Sequence, residues 1–201
     1  MFYFAIFFAG YFLGAIPFGF IVAKINGINI LQEGSGSLGA TNVKRVIGNK
    51  WGTLVFILDC LKGFVPVSIV KFFCQTGLNQ ANNMGATLLI GLVLGHCYSI
   101  FLKFCGGKGV ATAIGGLAVL MPSVLLLGII FWCSVFSITR FVSLASLCFA
   151  LSLPINAYLF AYQKEMILFA LALTILIFIR HSQNIRRLWK GEELRAHKVK
   201  E

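Results

Sequence analysis

The sequence predicts an all-α fold: a polytopic bundle of transmembrane helices forming one unit over residues 1–201. Composition is the first reason, because 59% of the 201 residues are hydrophobic and only 11% are charged, against roughly 25% in soluble domains. Mean hydropathy is +0.90. The second reason is the apolar runs near 2–23, 52–73, 84–104, 110–139, 141–161 and 166–179, several of them near the roughly 20 residues that a span requires. The third is that the cations stand between these runs. The net charge of +11 therefore reads as membrane sidedness and not as a nucleic-acid surface, since most aromatics are Phe inside the runs.

The first run, MFYFAIFFAGYFLGAIPFGFIVAK, has no basic region ahead of it and no small-x-small cleavage site. It reads as a retained span with its N-terminus outside. Lys24, Lys44, Arg45 and Lys50 fill the gap that follows, and the gap at 75–83 carries no charge. Lys103 and Lys108 mark the next, Arg140 stands alone, and seven Lys and Arg residues follow from Arg180 onward. The positive-inside rule puts 24–51, 103–109, 140 and 180–201 on the cytoplasmic side. The chain then crosses an even number of times between 109 and 140. Run 110–139 is accordingly two short helices broken at Met121–Pro122, and 141–179 goes out and returns near Gln163–Glu165. This gives about seven crossings, with five as the runner-up, and a cytoplasmic C-terminus. Six cysteines without a CxxC read as inert, buried thiols.

Three polar clusters fall on the cytoplasmic side. In GSGSLGATNVKR (34–45), glycines favour a nest of backbone N–H groups, Ser35, Ser37, Thr41 and Asn42 add neutral donors, and Arg45 adds a planar fork for phosphate oxygens. The plain alternative is an ordinary connecting loop. In GHCYSIFLKFCGGKGVAT (95–112), Gly106, Gly107 and Gly109 bracket Lys108, so that backbone and ammonium approach one anion together. It is not a Walker A loop, because Gly109 and not Ser or Thr follows the lysine. His96 reads as a donor, a base or a structural histidine. In RHSQNIRRLWKGEEL (180–194), a continued helix puts His181, Asn184 and Leu188 on one face with Arg187 close by. A basic tail resting on anionic headgroups is the alternative there. Asp59 and Lys62, inside an apolar run, read as a buried ion pair at i and i+3, since each charge alone costs about 2.5–3.5 kcal/mol at mid-bilayer. Taken together, the clusters suit a phosphorylated substrate whose other end is apolar.

The same residues resemble the bacterial acyl-phosphate-dependent glycerol-3-phosphate acyltransferase family, PlsY. Ser35, Gly36, Gly39, Ala40, Thr41 and Asn42 match its first motif, with Ser37 in place of Asn. Gly95, His96, Phe101, Leu102, Phe104 and the run from Gly106 to Thr112 match the second, with Tyr98, Ser99 and Cys105 in place of Phe, Pro and Lys. His181, Asn184, Ile185, Arg187, Leu188, Gly191 and Glu193 match the third, and Asp59, Lys62 and Gly63 match an Asp-x-x-Lys-Gly element.

The resemblance implies acyl transfer from acyl-phosphate to the 1-hydroxyl of sn-glycerol 3-phosphate, giving lysophosphatidic acid and phosphate. It also implies a multi-pass protein of the bacterial inner membrane whose site faces the cytoplasm. Membrane lipid is then a partner, with no cofactor, metal, nucleic acid or obligate protein partner. Ser35, Arg45, Lys108 and His181 are the candidates for the chemistry. Ser37, Thr41, Asn42, His96, Gly106, Gly107, Thr112, Asn184 and Arg187 are the candidates for binding substrate. The base that takes the hydroxyl proton is His181, His96 or an oxygen of the acyl-phosphate. The HxxxxD signature of acyl-CoA and acyl-carrier-protein acyltransferases is missing, because Phe101 and Arg186 stand five residues after His96 and His181. A transporter or exchanger of a small phosphorylated anion is the rival reading.

Overall fold

The computed structural model describes residues 1–73 and 77–196. Every regular element among them is helical: α1 (Phe2–Gly14), α2 (Phe18–Ile25), α3 (Ala40–Ile47), α4 (Asn49–Phe73), α5 (Leu78–Cys97), α6 (Val110–Leu120), α7 (Pro122–Thr139), α8 (Val142–Leu159), α9 (Lys164–Arg180) and α10 (Ser182–Trp189), with a 3₁₀ turn at Ile100–Leu102. The expected breaks are present. Leu120 ends α6 and Pro122 starts α7, where a missing N–H costs nothing. Gln163 caps the start of α9, in the predicted turn.

Among the described residues, four segments are long and apolar enough to cross a membrane, namely Phe2–Ile25, Asn49–Phe73, Pro122–Thr139 and Val142–Leu159, and the bent pair α9–α10 adds a fifth. The two remaining long helices are α5, whose first turns carry Asn79, Gln80, Asn82 and Asn83, and α6, which has only 11 residues. Counting both as crossings returns the seven read from sidedness, and omitting both returns five.

The chain gathers into two compact units, residues 1–120 and 121–196. In the first, α5 is the interior helix, packed against α1, α4 and α6. Small residues set the approach: Gly10 and Gly14 lie on the backbone at Leu88 and Leu92, while Gly91 and Gly95 lie on Phe7 and Tyr11. With no hydrophobic drive between helices in lipid, such close backbone contact is what holds them. Pro17 interrupts the first span, and the carbonyls this frees are taken up by side chains. Ser99 Oγ donates to the Ala15 carbonyl at 2.6 Å and Lys62 Nζ to that of Ile16 at 3.2 Å. Ser99 thus ties its loop down by a hydrogen bond.

In the second unit α8 packs between α7 and α9. Its buried face carries Ser143, Ser146, Ser152 and Asn156 among apolar residues. Thr174 of α9 donates to the carbonyl of Ala150 at 2.6 Å. The cysteine expectation needs correction. Only Cys97 is buried among the described cysteines; Cys60 and Cys148 are half-buried, and Cys105 and Cys133 are exposed. Cys105 sits on a loop and Cys133 on the outward face of α7. Cys74 lies outside the described residues.

Candidate active site

The first cluster is built around one side chain. Gly34 and Gly36 have φ of +60° and +68°, the left-handed region that lets the loop reverse twice. Asn42, on α3 and 2% exposed, reaches back into the turn so formed. Its Oδ1 accepts from the Ser35 N–H at 2.8 Å, and its Nδ2 donates to the carbonyls of Glu33 and Ser37, each at 3.0 Å. An amide has two N–H bonds, and both are spent inside the loop. Asn42, expected as a donor to substrate, is therefore the post that holds the loop. Ser37 Oγ accepts from the Gly39 N–H at 3.3 Å. Ser35 and Ser37 are half-buried, while Thr41 and Arg45 are exposed along α3.

The second cluster rests on the same floor. Leu102 packs against the hydrophobic group of Val22, Ile30, Leu38, Val43 and Val55, which also lies under α3. The two loops therefore stand over one small core. Lys103, Phe104 and Gly109 all take positive φ, and an isolated bridge joins Ser99 to Cys105. The GGKG backbone is clamped to His96: Gly107 N–H donates to the His96 carbonyl at 3.0 Å. A Cβ added at Gly107 would collide with His96 Nε2, and one at Gly106 with the carbonyls of His96 and Cys97. These two positions are glycine because nothing larger fits. Lys108 is half-buried beside them.

Below lies the expected ion pair, with Lys62 Nζ 2.9 Å from Asp59 Oδ1. The structure adds a third member. His96 Nδ1 is 2.8 Å from Lys62 Nζ and 3.5 Å from Asp59 Oδ1. Thr112, a candidate for substrate binding, is wholly buried in α6 and its hydroxyl has no hydrogen-bond partner among the described residues.

The third cluster belongs to the second unit. The continued helix expected there bends by 61° at His181, between α9 and α10. The helical spacing still holds after the bend: His181 and Asn184 are buried, and Arg187 and Leu188 half-buried. His181 Nδ1 stands 2.8 Å from the Ile177 carbonyl. What closes this cluster is Glu193. Gly191, at φ +72°, ends α10 with its N–H on Leu188 O at 3.1 Å and the Glu192 N–H on Arg187 O at 2.8 Å, a Schellman turn. The turn sends Glu193 back along the helix. Its Oε1 accepts from Asn184 Nδ2 at 2.6 Å and from Ser143 Oγ at 2.8 Å, and its Oε2 from Arg187 Nε at 2.9 Å. Burial pushes the Glu193 carboxyl up, but the bonds from Arg187, Asn184 and Ser143 outweigh it and leave it below its usual range. Ser143 escaped sequence reasoning altogether. Glu193 appeared only as a motif match, although a glycine just past a helix end was a visible sign of a returning chain.

The sequence model of the family described as glycerol-3-phosphate acyltransferase matches residues 4–191. This chain belongs to the glycerol-3-phosphate acyltransferase family. A family member from Endomicrobium trichonymphae is 43% identical over 195 residues, covering 94% of each chain. One from Aquifex aeolicus (strain VF5) is 43% identical over 187 residues, covering 92% of this chain and 94% of its own. Among solved structures, the glycerol 3-phosphate form of PlsY, an integral membrane glycerol 3-phosphate acyltransferase, superposes with a TM-score of 0.89 at 39% identity, covering 98% of this chain and 96% of that one. Its lysophosphatidic acid form gives 0.86 at the same identity and coverage. The family and the all-helical membrane fold expected from sequence are thereby borne out.

Proposed function

We propose that this chain transfers a fatty acyl group from acyl-phosphate to the 1-hydroxyl of sn-glycerol 3-phosphate, releasing lysophosphatidic acid and phosphate. The site would face the cytoplasm from a bacterial inner membrane. The observation that carries the reading is the 39% identity, over 98% of this chain, to an acyltransferase solved with glycerol 3-phosphate and with lysophosphatidic acid. The acyl-phosphate donor is supported by the motif resemblance and by the missing HxxxxD signature.

Acyl-phosphate is an activated mixed anhydride, so the main task is to hold two mutually repelling anions in reacting geometry. The hydroxyl oxygen forms a bond to the acyl carbon while the bond from that carbon to the phosphate oxygen breaks, and phosphate leaves with the electron pair. Lys108, Arg45 and the Gly106–Gly107 backbone meet the phosphate charge, with the hydroxyls of Ser35, Ser37 and Thr41 as donors and Asn42 holding their loop. His181, Asn184 and Arg187 serve glycerol 3-phosphate, and Thr112 keeps a hydroxyl near the GGKG loop. The leaving phosphate takes the hydroxyl proton, and the transfer is direct, without a covalent acyl-enzyme on Ser35.

The purified chain in detergent or lipid, given acyl-phosphate and glycerol 3-phosphate, should release phosphate and form lysophosphatidic acid. Phosphate release that does not depend on glycerol 3-phosphate, or none at all, sinks the reading and promotes a carrier of phosphorylated anions. Trapping an acyl group on Ser35 would overturn the direct-transfer route.

A further inference from the structure

We infer that Ser143, Phe141 and Arg195 are positioning residues for glycerol 3-phosphate. The chain beyond Gly191 is strapped in register onto the corner between α7 and α8, and through Glu193 this strap sets Arg187 and Asn184. The role in substrate binding rests on the acyltransferase reading above; the strap itself does not.

The corner is a place that needs partners. Arg140 ends α7 in the left-handed region, at φ +62° and ψ +13°, and Phe141 is extended at the start of α8, at φ −98° and ψ +109°. Carbonyls at the end of a helix lack a donor from their own helix. The Ala196 N–H supplies one to the Arg140 carbonyl at 3.0 Å. One residue back along the tail, the Arg195 guanidinium carbon stands 5.4 Å from the centre of the Phe141 ring, within reach of a cation–π contact. Two residues further back, Glu193 Oε1 accepts from Ser143 Oγ at 2.8 Å. Each step back along the tail is matched by an equal step forward along the corner. Residues 193–196 therefore run antiparallel to 140–143 in a single register. A backbone bond, a cation over a ring and a hydroxyl on a carboxylate all keep that register, which a basic tail lying loose in solvent would not show.

The strap holds Glu193 from both sides. The Schellman turn at Gly191 fixes where the tail begins, and the corner fixes where it goes. Between them the carboxylate takes Asn184 Nδ2 at 2.6 Å and Arg187 Nε at 2.9 Å. Bonding Nε fixes the plane of the guanidinium and leaves its four Nη–H bonds for an anion. Ser143 is 5% exposed and supplies the third bond to the same carboxylate from α8. It thus ties two candidate ligands of glycerol 3-phosphate, both on α10, to a second helix.

The strap is tested on the full chain in lipid nanodiscs, by the rate at which trypsin cuts the Arg195–Ala196 bond, read by mass spectrometry. A guanidinium seated on Phe141 cannot enter the protease pocket while it stays there. Phe141→Leu, which removes the ring from a half-buried position, should be cut about two- to fivefold faster than the wild type, the scale of one exposed cation–π contact. Equal rates overturn the strap.

Steady-state kinetics test the positioning. Ser143→Ala should raise KM for glycerol 3-phosphate about three- to tenfold, the range for one hydrogen bond, with kcat and KM for acyl-phosphate within about twofold. Ser143→Thr keeps the hydroxyl and should recover most of the affinity. In a chain already carrying Glu193→Ala, Ser143→Ala should add nothing, because the carboxylate through which it acts is gone. A fall in kcat at unchanged KM, equal rises in both KM values, or losses that multiply in the double variant would each overturn the positioning role. Slow cutting at Arg195 in a preparation that transfers no acyl group would sink the proposed reaction, and the substrate role with it, and leave the strap standing.

Discussion

The two units each gather polar side chains around a buried carboxylate, and they do so in opposite ways. Asp59 sits inside α4 and meets its lysine three residues later on the same helix face, so the pair forms as soon as the helix does. Glu193 lies beyond the last helix, and its partners Arg187, Asn184 and Ser143 are 6, 9 and 50 residues away. It depends on a left-handed glycine to arrive. The first arrangement is deep and charged, and it sets a ring beside the pair. The second is at a helix end, and it orients an amide and a guanidinium. A charge already committed to the membrane interior must be paired at once, whereas a charge at the interface can wait for the fold.

The comparison breaks most sharply if the cation above the first cluster is removed. Lys108→Ala should cut phosphate release by at least about 10³-fold, beyond the loss of one neutral donor, with the protein still inserted; near-normal turnover would take Lys108 out of the site. The next largest effect is on stability. Lys62→Met leaves Asp59 with only His96 beside it in an apolar interior, at up to about 3–5 kcal/mol, read from unfolding midpoints in detergent. D59N/K62M should recover most of that, and a double variant as unstable as the single one would show that the pair is not the cause.

Glu193→Ala should be milder, about 1–3 kcal/mol from the bonds lost, and should raise KM for glycerol 3-phosphate about tenfold with less change in kcat. A fall in kcat alone would mean that Arg187 and Asn184 keep their places without it. Glu193 also carries a sign in pH. Its carboxyl is depressed in the folded chain, so its contribution is present above the ordinary glutamate range and is lost as pH falls through the lowered value. The stability gap between the wild type and E193Q should therefore be full at neutral pH and close in acid; a gap that widens on acidification contradicts it. The smallest expected effect is at Ser37, the one departure inside the first motif. Ser37→Asn should shift KM for glycerol 3-phosphate by no more than about threefold, under 1 kcal/mol, because the loop is already held by Asn42.

Much of this protein was legible in its sequence. Hydropathy sets where helices run, since backbone in lipid must bond within its own segment. Met121–Pro122 fixed one break and Gln163 one turn, and the motif residues named the family. The i, i+3 spacing of Asp59 and Lys62 named their pairing, and a helical repeat named the shared face of His181 and Asn184. Tertiary structure alone decided who meets whom across chain distance. That Lys62 turns to His96 from 34 residues away, that Asn42 spends its amide on its own loop, and that Ser143 and Asn184 share one carboxylate are not periodicities. They follow from how the backbone is brought round: close approaches at Gly63, Gly91, Gly95 and Gly107 pack the helices that carry Lys62 and His96, the left-handed Gly34 and Gly36 fold the loop onto Asn42, and the left-handed Gly191 turns Glu193 back. Local rules set the residues' types and faces, and packing set their partners.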